Sequence, residues 1–219
     1  MAMKLQRPVI TEEYLRSAED VQALLLHAIA NENGLERVRM RDAFFPGEDL
    51  TGLRFQTMIL ENCRFSGAIL QKTSFVDVRF LNCDFSNCKM EDTYCNRCEF
   101  ISCKWVGASL EGATLRQTCF RDSNMQYCNL DHSLFDYVLL QSCDMTSAYL
   151  TSCKWKKLEL EECRLVQTSF HRTPLKSIDL TTCEISGPVV SESFYELRGA
   201  VVRADQAMEL SRLLGVVIR

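Results

Sequence analysis

Cysteine is the residue type in this sequence with the widest choice of chemistry. Five of the twelve cysteines fall in one short stretch, CDFSNCKMEDTYCNRCEFISCKW, which runs from Cys83 to Trp105. Cysteine thiolates bind zinc, act as nucleophiles or form disulfides, and their spacing indicates which of these is favoured. A structural zinc site typically combines two C-x-x-C pairs, whereas Cys95 and Cys98 form a single pair without a matching one. We therefore expect no metal and no cofactor.

The other reactive residue types are scattered along the chain. His27, His132 and His171 are isolated, and there is no glycine-rich phosphate loop and no nucleophile motif. With 25 basic and 29 acidic residues the net charge is -4, which argues against direct nucleic-acid binding and against a polybasic membrane anchor. No apolar run reaches the roughly 18 residues of a membrane span, and no signal peptide is visible. We expect a non-enzymatic cytoplasmic protein with reduced thiols.

A period of five residues explains the cysteines better than ligand spacing does. Every fifth residue from Phe45 to Val190 is apolar, and the position two residues before each of them is usually small or compact. A helix repeats at 3.6 residues and a strand at 2, so this pattern predicts a chain that bends every five residues. If each pentad forms one side of a square coil, these two positions point inward and the other three face water.

Four sides per coil produce a second period of twenty residues, which stacks equivalent residues in columns. The predicted core columns are Phe65, Phe85, Trp105, Met125 and Met145 in the large slot, and Cys63, Cys83, Cys103, Cys143, Cys163 and Cys183 in the small slot. Ten of the twelve cysteines occupy the small slot and are predicted to act as compact hydrophobic residues. Column neighbours about 4.8 Å apart are within disulfide reach, but parallel side chains have the wrong orientation, so we expect free thiols.

The repeated pentads carry a family resemblance. CRFSG, CDFSN, ASLEG, CNLDH and CDMTS resemble the pentapeptide-repeat family, whose consensus is A(D/N)Lxx. The resemblance covers about residues 38 to 190 and implies an all-β solenoid in the form of a right-handed quadrilateral β-helix. We accordingly divide the chain into an N-terminal cap segment (1–37), a β-helix (38–192) and a C-terminal capping or dimerisation segment (193–219).

Both ends of the chain depart from the repeat. Before it, Ser17 is predicted to cap a helix that reaches Asn33-Gly34, with an apolar face made of Val21, Leu24, Leu25, Ala28 and Ile29. After it, Ala204 to Leu214 is predicted to be a helix that stops at Gly215, followed by a short strand.

The C-terminal segment is predicted to join two chains. A solenoid leaves an unpaired edge at each end, so this segment either caps its own coil or covers a second copy. Its excess of aliphatic residues favours a homodimer, because two-fold dimers are the commonest oligomers. The predicted interface residues are Ala207, Leu210, Leu213, Leu214, Val216, Val217 and Ile218.

One outward column is acidic. The twenty-residue period places Glu91, Glu111 and Asp131 on consecutive coils, with Asp92 beside the first of them. Like charges about 5 Å apart oppose one another, so these residues are either a solvated face or a surface kept for a partner. We treat them as the candidate partner-binding site and call them the acidic stripe.

The C-terminal sequence QAMELSRLLGVVI, at the end of such a rod, resembles the Qnr and MfpA group of quinolone-resistance proteins. That resemblance implies a DNA-mimicking rod, dimeric through its C-terminal tail, that binds DNA gyrase or topoisomerase IV and reduces quinolone susceptibility. The unbroken register resembles the members without projecting loops. Two alternatives remain open: an interaction scaffold with a different partner, and an enzyme with acidic residues on one face.

Overall fold

The computed structural model describes residues 4–17, 21–30 and 34–217 as a parallel β-solenoid with a C-terminal helix. Its main sheet contains the strands β1 to β9, and a second sheet pairs β10 with β11. The strands are β1 Arg16–Ser17, β2 Leu35–Glu36, β3 Val38–Arg41, β4 Arg54–Glu61, β5 Ser74–Leu81, β6 Tyr94–Ile101, β7 Thr114–Arg121, β8 Leu134–Gln141, β9 Lys154–Glu161, β10 Arg164–Val166 and β11 Glu184–Ser186. The helices are α1 Val21–Ala30 and α2 Ala204–Ser211, with 3-10 turns at Glu12–Tyr14, Tyr195–Leu197 and Arg212–Leu214.

The register between coils is twenty residues, as the sequence predicts. Phe55 pairs with Phe75, and Phe75 with Cys95, in parallel ladders that repeat from β4 to β8. The predicted all-β solenoid is therefore confirmed. One outward column of bridged residues has a member on each of eight consecutive coils: Phe44, Arg64, Asp84, Lys104, Asn124, Asp144, Arg164 and Glu184.

Residues in the left-handed backbone conformation form the bends between pentads. A residue with positive φ occurs at every fifth position from Arg37 to Ser152, and the conformation returns at several later corners. Glycine adopts this conformation without strain, and asparagine and aspartate tolerate it better than most residues. Gly67 and Asn82 are two such corners, with φ of 71° and 53°. The small polar residues between the apolar positions are thus explained by backbone geometry.

The large inward side chains form continuous stacks along the rod. The ring of Phe65 lies 5.1 Å from that of Phe85, and the ring of Phe85 lies 4.3 Å from that of Trp105. Met125 and Met145 continue this column and are fully buried. The core is consequently one uninterrupted apolar column that each coil extends.

The small slot has a polar function in addition to its size. Cys88 Sγ donates to the carbonyl oxygen of Phe65 at 2.8 Å, and Ser133 Oγ donates to that of Leu110 at 2.9 Å. Both contacts join a small-slot residue to the large-slot residue of the coil below. The prediction that these cysteines are only compact hydrophobes was incomplete, because a thiol or hydroxyl here also satisfies an inward carbonyl.

The N-terminal residues run along the outside of the rod. Ser17 was predicted to cap α1, but it lies in β1 and pairs with Arg39 of β3. Leu25 and Ala28 of α1 are buried and Leu24 is partly buried, whereas Ile29 is exposed. The predicted apolar face is therefore correct in part, and the side chain of Val21 lies outside the described residues.

Candidate functional site

The cysteines do not form a reactive centre. All twelve are buried and none is in a disulfide. Burial raises the pKa of Cys88 and of Cys153 to about 12, so both remain protonated thiols at neutral pH. Among the residues that the structure describes, no group of three or more His, Cys, Asp or Glu side chains could hold a metal ion. The same part of the chain has no helix long and apolar enough to cross a membrane.

The acidic stripe occupies one column on three consecutive coils. The backbone ladder places it there, because Asp92 N donates to Glu111 O and Gly112 N donates to Asp131 O, each at 2.9 Å. Glu91 and Asp131 are half-buried, whereas Glu111 and Asp92 are exposed. With a coil spacing of about 4.8 Å, the three column positions span about 10 Å of the rod.

Hydrogen bonds hold the two ends of the stripe. Gln71, one coil before Glu91, donates from Nε2 to Glu91 Oε2 at 2.9 Å. Thr151, one coil after Asp131, donates from its backbone N to Asp131 Oδ1 at 2.6 Å. Partial burial favours the protonated form of Glu91, but hydrogen bonds, chiefly that from Gln71, outweigh it and lower its pKa. The outer carboxylates are thus oriented, and Glu111 between them faces solvent.

The surroundings of the stripe are not purely acidic. The charge of Lys89 contributes to the lowered pKa of Glu91. The side chain of Asp92 reaches toward the next coil and lies against Gly112. A Cβ added at Gly112 would be only 2.8 Å from Asp92 Oδ1. Asp92 therefore lies beside Gly112 at a corner, whereas the other three carboxylates share one side of the coil.

Another side of the rod is covered with ion pairs between coils. Arg97 donates from Nε and Nη2 to the two carboxylate oxygens of Asp77, each at 2.6 Å. Arg79 Nε donates to Glu99 Oε2 at 2.9 Å. Each pair joins opposite charges twenty residues apart, in contrast to the acidic stripe. These contacts stabilise neighbouring coils and leave little uncompensated charge on that side.

The N-terminal segment (residues 4–17) lies over this ion-paired side. Val9 N donates to Asp77 Oδ1 and Gln6 N donates to Gln117 Oε1, both at 2.9 Å. Glu12 forms an ion pair with Arg39. No functional residue was predicted in this segment. Among the described residues, it forms no hydrogen bond or ion pair with the acidic stripe.

Helix α2 caps the last coil through a residue that sequence reasoning missed. Gln206 is buried, and its Nε2 donates to the carbonyl oxygens of Leu180 at 2.8 Å and Cys183 at 2.7 Å. These acceptors lie in the last full coil, close to the C-terminal end of the solenoid. The sequence offered one signal for this capping role, which is the polar Gln206 between the apolar positions of an amphipathic helix.

The predicted dimer residues divide into two groups. Leu210 packs against the core of its own chain, and Leu213 is half-buried. The others point outward: Ala207, Leu214, Val216 and Val217 are exposed, and Met208 is exposed beside them. Neither Val216 nor Val217 lies in a strand, and Ile218 is outside the described residues. The segment therefore caps its own rod and also presents an apolar surface.

Comparison with known families places these features in context. A model described as "Pentapeptide repeats (8 copies)" matches residues 59–94, and one described as "Pentapeptide repeat region" matches residues 94–170. The two matches are continuous and together span just over half of the chain. The chain belongs to the pentapeptide-repeat family. No curated protein has a sequence significantly similar to this pentapeptide-repeat protein.

Solved structures give a more distant likeness. A trypsin-treated variant of QnrB1, a plasmid-mediated fluoroquinolone resistance protein, has 19% identity and a TM-score of 0.42, over 84% of this chain and 89% of that one. A pentapeptide-repeat protein from the thylakoid lumen of Arabidopsis thaliana has 26% identity and a TM-score of 0.40, over 47% and 68%. HetL from the cyanobacterium Nostoc has 15% identity and a TM-score of 0.28, over 81% and 92%. The family assignment rests on the repeat and not on these scores.

Proposed function

We propose that this pentapeptide-repeat protein is a dimeric, cytoplasmic binding protein that performs no chemistry. Its partner is a bacterial type II topoisomerase, DNA gyrase or topoisomerase IV, which it contacts as a mimic of duplex DNA. Binding at the DNA-handling surface lowers quinolone susceptibility. The observation that carries the proposal is the column of Glu91, Glu111 and Asp131 on three consecutive coils.

The stripe supports a partner because it groups like charges, which oppose one another on neighbouring coils. Its column positions are about 4.8 Å apart, and the bonds from Gln71 and Thr151 hold the outer carboxylates toward the coils before and after the stripe. A surface that binds DNA has basic residues placed for phosphates, which follow one another every 3.4 Å or so along each strand. Such a surface would relieve the repulsion within the stripe and gain complementary charge on binding.

The C-terminal segment supports the dimer. Leu214 is 63% exposed and Val217 is 81% exposed, and both lie on the surface formed after α2. Large aliphatic side chains grouped at the end of a rod are typical of an interface with a second copy. A two-fold contact there would join two rods end to end and double the number of acidic stripes along one particle.

The dimer is tested by light scattering after size exclusion. We expect the double variant Leu214→Glu/Val217→Glu to elute as a monomer and the wild type as a dimer. The control is Val189→Glu, because Val189 is 49% exposed but lies on the side of the rod. A wild type that stays monomeric at all concentrations would contradict the dimer.

The topoisomerase partner is tested by gyrase supercoiling with ciprofloxacin titrated in. We expect the wild-type protein to alter either supercoiling or its inhibition by ciprofloxacin. The variant Glu91→Gln/Glu111→Gln/Asp131→Asn should need about tenfold more protein for the same effect. The control neutralises three exposed acids elsewhere: Glu13→Gln, Glu48→Gln and Glu192→Gln. If a pull-down from bacterial lysate recovers no topoisomerase, the scaffold alternative with a different partner replaces this proposal.

A further inference from the structure

The parallel ladder stops at β9, although the coil continues. The main sheet ends with β9, and no described strand pairs with its outer edge. In five preceding coils the residue at the start of this side donates to the coil below, as Leu134 N does to Ala113 O at 2.8 Å and Lys154 N to Ser133 O at 3.0 Å. The next residue in that column is Pro174, which has no N–H to donate.

Three regular features of the repeat are also lost at this place. Lys157 and Thr182 are corner positions, yet neither has the positive φ that the corners from Arg37 to Ser152 share. Trp155 is only partly buried, whereas the large-slot residues before it are buried. The register shifts between β8 and β9, so that Asp136 pairs with Lys157. A bulge at an unpaired edge re-aims side chains and is typical of a binding or terminating strand.

The result is a cleft of about 690 Å³ between β9 and the following coil, whose lining residues are Lys176, Ser177, Ile178, Asp179 and Thr182. Residues 174–181 pair with the segment that follows them, as Leu180 N donates to Val201 O at 2.9 Å, whereas no backbone hydrogen bond in the described chain joins them to β9. Side-chain contacts close the two ends of the cleft. Cys153 N donates to Thr173 Oγ1 at 3.0 Å, and Glu162 N donates to Thr182 Oγ1 at 3.1 Å.

The charges around the cleft are unevenly compensated. Of its acids, Glu159 forms an ion pair with Lys157 at 3.2 Å. Glu161 and Asp179 lie toward the other end and accept hydrogen bonds, Glu161 from Gln141 at 3.0 Å and Asp179 from the N and Oγ1 of Thr181 at 2.9 and 2.6 Å. Lys176 is exposed and has no ion pair within the described chain. Lys156 Nζ lies 3.8 Å from Asp136 Oδ1 and 5.2 Å from the centre of the Tyr137 ring. The end of the cleft near Trp155 therefore carries uncompensated positive charge.

We propose that this cleft binds an extended acidic segment of another protein, which adds to the outer edge of β9 as a strand. Backbone hydrogen bonds to β9 would provide affinity, and carboxylates near Lys156 and Lys176 would set the orientation. An extended segment fits this edge better than a second rod, because residues of the following coil line the other wall of the cleft. Lysines on a strand edge also discourage aggregation, but an edge inside a cleft does not need that protection.

The probe is an acetylated, fluorescent peptide of eight residues, the length of β9. It alternates valine and threonine and carries two aspartates at one end. Control peptides replace the aspartates with lysines or methylate alternate backbone nitrogens, which keeps the charge but removes one row of donors. We expect anisotropy to show binding of the acidic probe and about tenfold weaker binding of both controls. Hydrogen exchange should show protection of the β9 amides by the acidic probe alone.

Variants locate the site without disturbing the acidic stripe. Lys156→Glu/Lys176→Glu should weaken binding by about tenfold, whereas Lys104→Glu, on another side of the rod, should leave it unchanged. Pro174→Thr restores a donor opposite Cys153, so it should protect the β9 amides without any peptide and abolish binding of the probe.

Several results would overturn the strand addition. Equal binding of the N-methylated peptide would exclude backbone pairing, and equal binding of the lysine peptide would exclude recognition of acidic groups. No binding of the acidic probe at millimolar concentration would also overturn it. A dimer lost in Lys156→Glu/Lys176→Glu would place a second copy of this chain in the cleft instead. None of these outcomes depends on the gyrase assay, so the two proposals fail separately.

Discussion

The ring of Phe85 lies flat on the indole of Trp105, with centroids 4.3 Å apart and an angle of 14° between the planes. The two residues are one coil apart, and Phe100 packs edge-on against both of them. Offset-stacked and edge-to-face contacts are the preferred aromatic geometries, each worth about 1 kcal/mol beyond the buried area. The middle of the rod is therefore an aromatic ladder whose rungs follow from the twenty-residue register.

Truncating this ladder should be costly. Trp105 is fully buried, so Trp105→Ala is expected to lower the free energy of unfolding by about 3–5 kcal/mol. Trp105→Phe is a sharper comparison, because the indole Nε1 has no hydrogen-bond partner among the described residues and phenylalanine removes that group. We expect Trp105→Phe to cost about 1 kcal/mol or less in urea unfolding. Equal losses for the two variants would show that the indole is hydrogen-bonded.

The first coil should be sensitive to one glycine. A Cβ added at Gly34 would lie 2.7 Å from Arg54 Cβ and against the Arg54 carbonyl, which is backbone and cannot move aside. Gly34→Ala should therefore lower the free energy of unfolding by about 2–3 kcal/mol. The control is Gly52→Ala, where φ is +73° but nothing lies within 4 Å, and which should cost about 1 kcal/mol through backbone strain alone. A smaller loss at Gly34 than at Gly52 would contradict the close packing of the first two coils.

The solenoid could be predicted from the sequence because each inward position is fixed by local spacing. A five-residue bend leaves only two inward slots per side, so Phe85, Trp105 and Cys103 reveal their environment by size alone. The acidic column followed from the same register. The hydrogen bonds of Gln71 and Thr151 to its ends did not, because they depend on side-chain rotamers that no period determines.

The five-residue period could not predict two other features of the structure. The N-terminal segment is held by contacts such as Gln6 to Gln117, whose partners are 111 residues apart and leave no repeating signal. The cleft beside β9 had a visible marker in Pro174, but Trp155 satisfied the apolar spacing and concealed the change. The five-residue spacing shows which side chains point inward. It does not show that one backbone N–H donor is missing.

The small slot should select for a donor as well as for size. Cys88 Sγ donates to Phe65 O at 2.8 Å, and threonine or serine takes the same position in other coils. Cys88→Ser should therefore fold and melt close to wild type. Cys88→Val keeps the size but removes the thiol donor, so that Phe65 O keeps only its bond from Ala68 N at 2.8 Å, and it should cost about 1 kcal/mol or less beyond Cys88→Ser. The reverse order in thermal unfolding would show that only hydrophobicity matters in this slot.

Stability at low pH should depend on one buried carboxylate near the C-terminal cap. Glu196 is fully buried, and its oxygens accept from Arg172 N at 2.9 Å and from the N and Oγ of Ser191 at 3.2 and 2.9 Å. Burial favours the protonated acid, but these hydrogen bonds outweigh it and lower the pKa of Glu196 from 4.5.

Because the pKa in the folded protein lies below that in the unfolded chain, Glu196 stabilises the fold above about pH 4.5 and loses this effect as the pH falls through the folded value. We expect Glu196→Gln to be less stable than wild type at pH 7, with the difference shrinking as the pH is lowered below 4.5. Urea unfolding across this range measures it, with exposed Glu192→Gln as the control. A difference that stays constant with pH would mean that the loss comes from packing and not from the charge of Glu196.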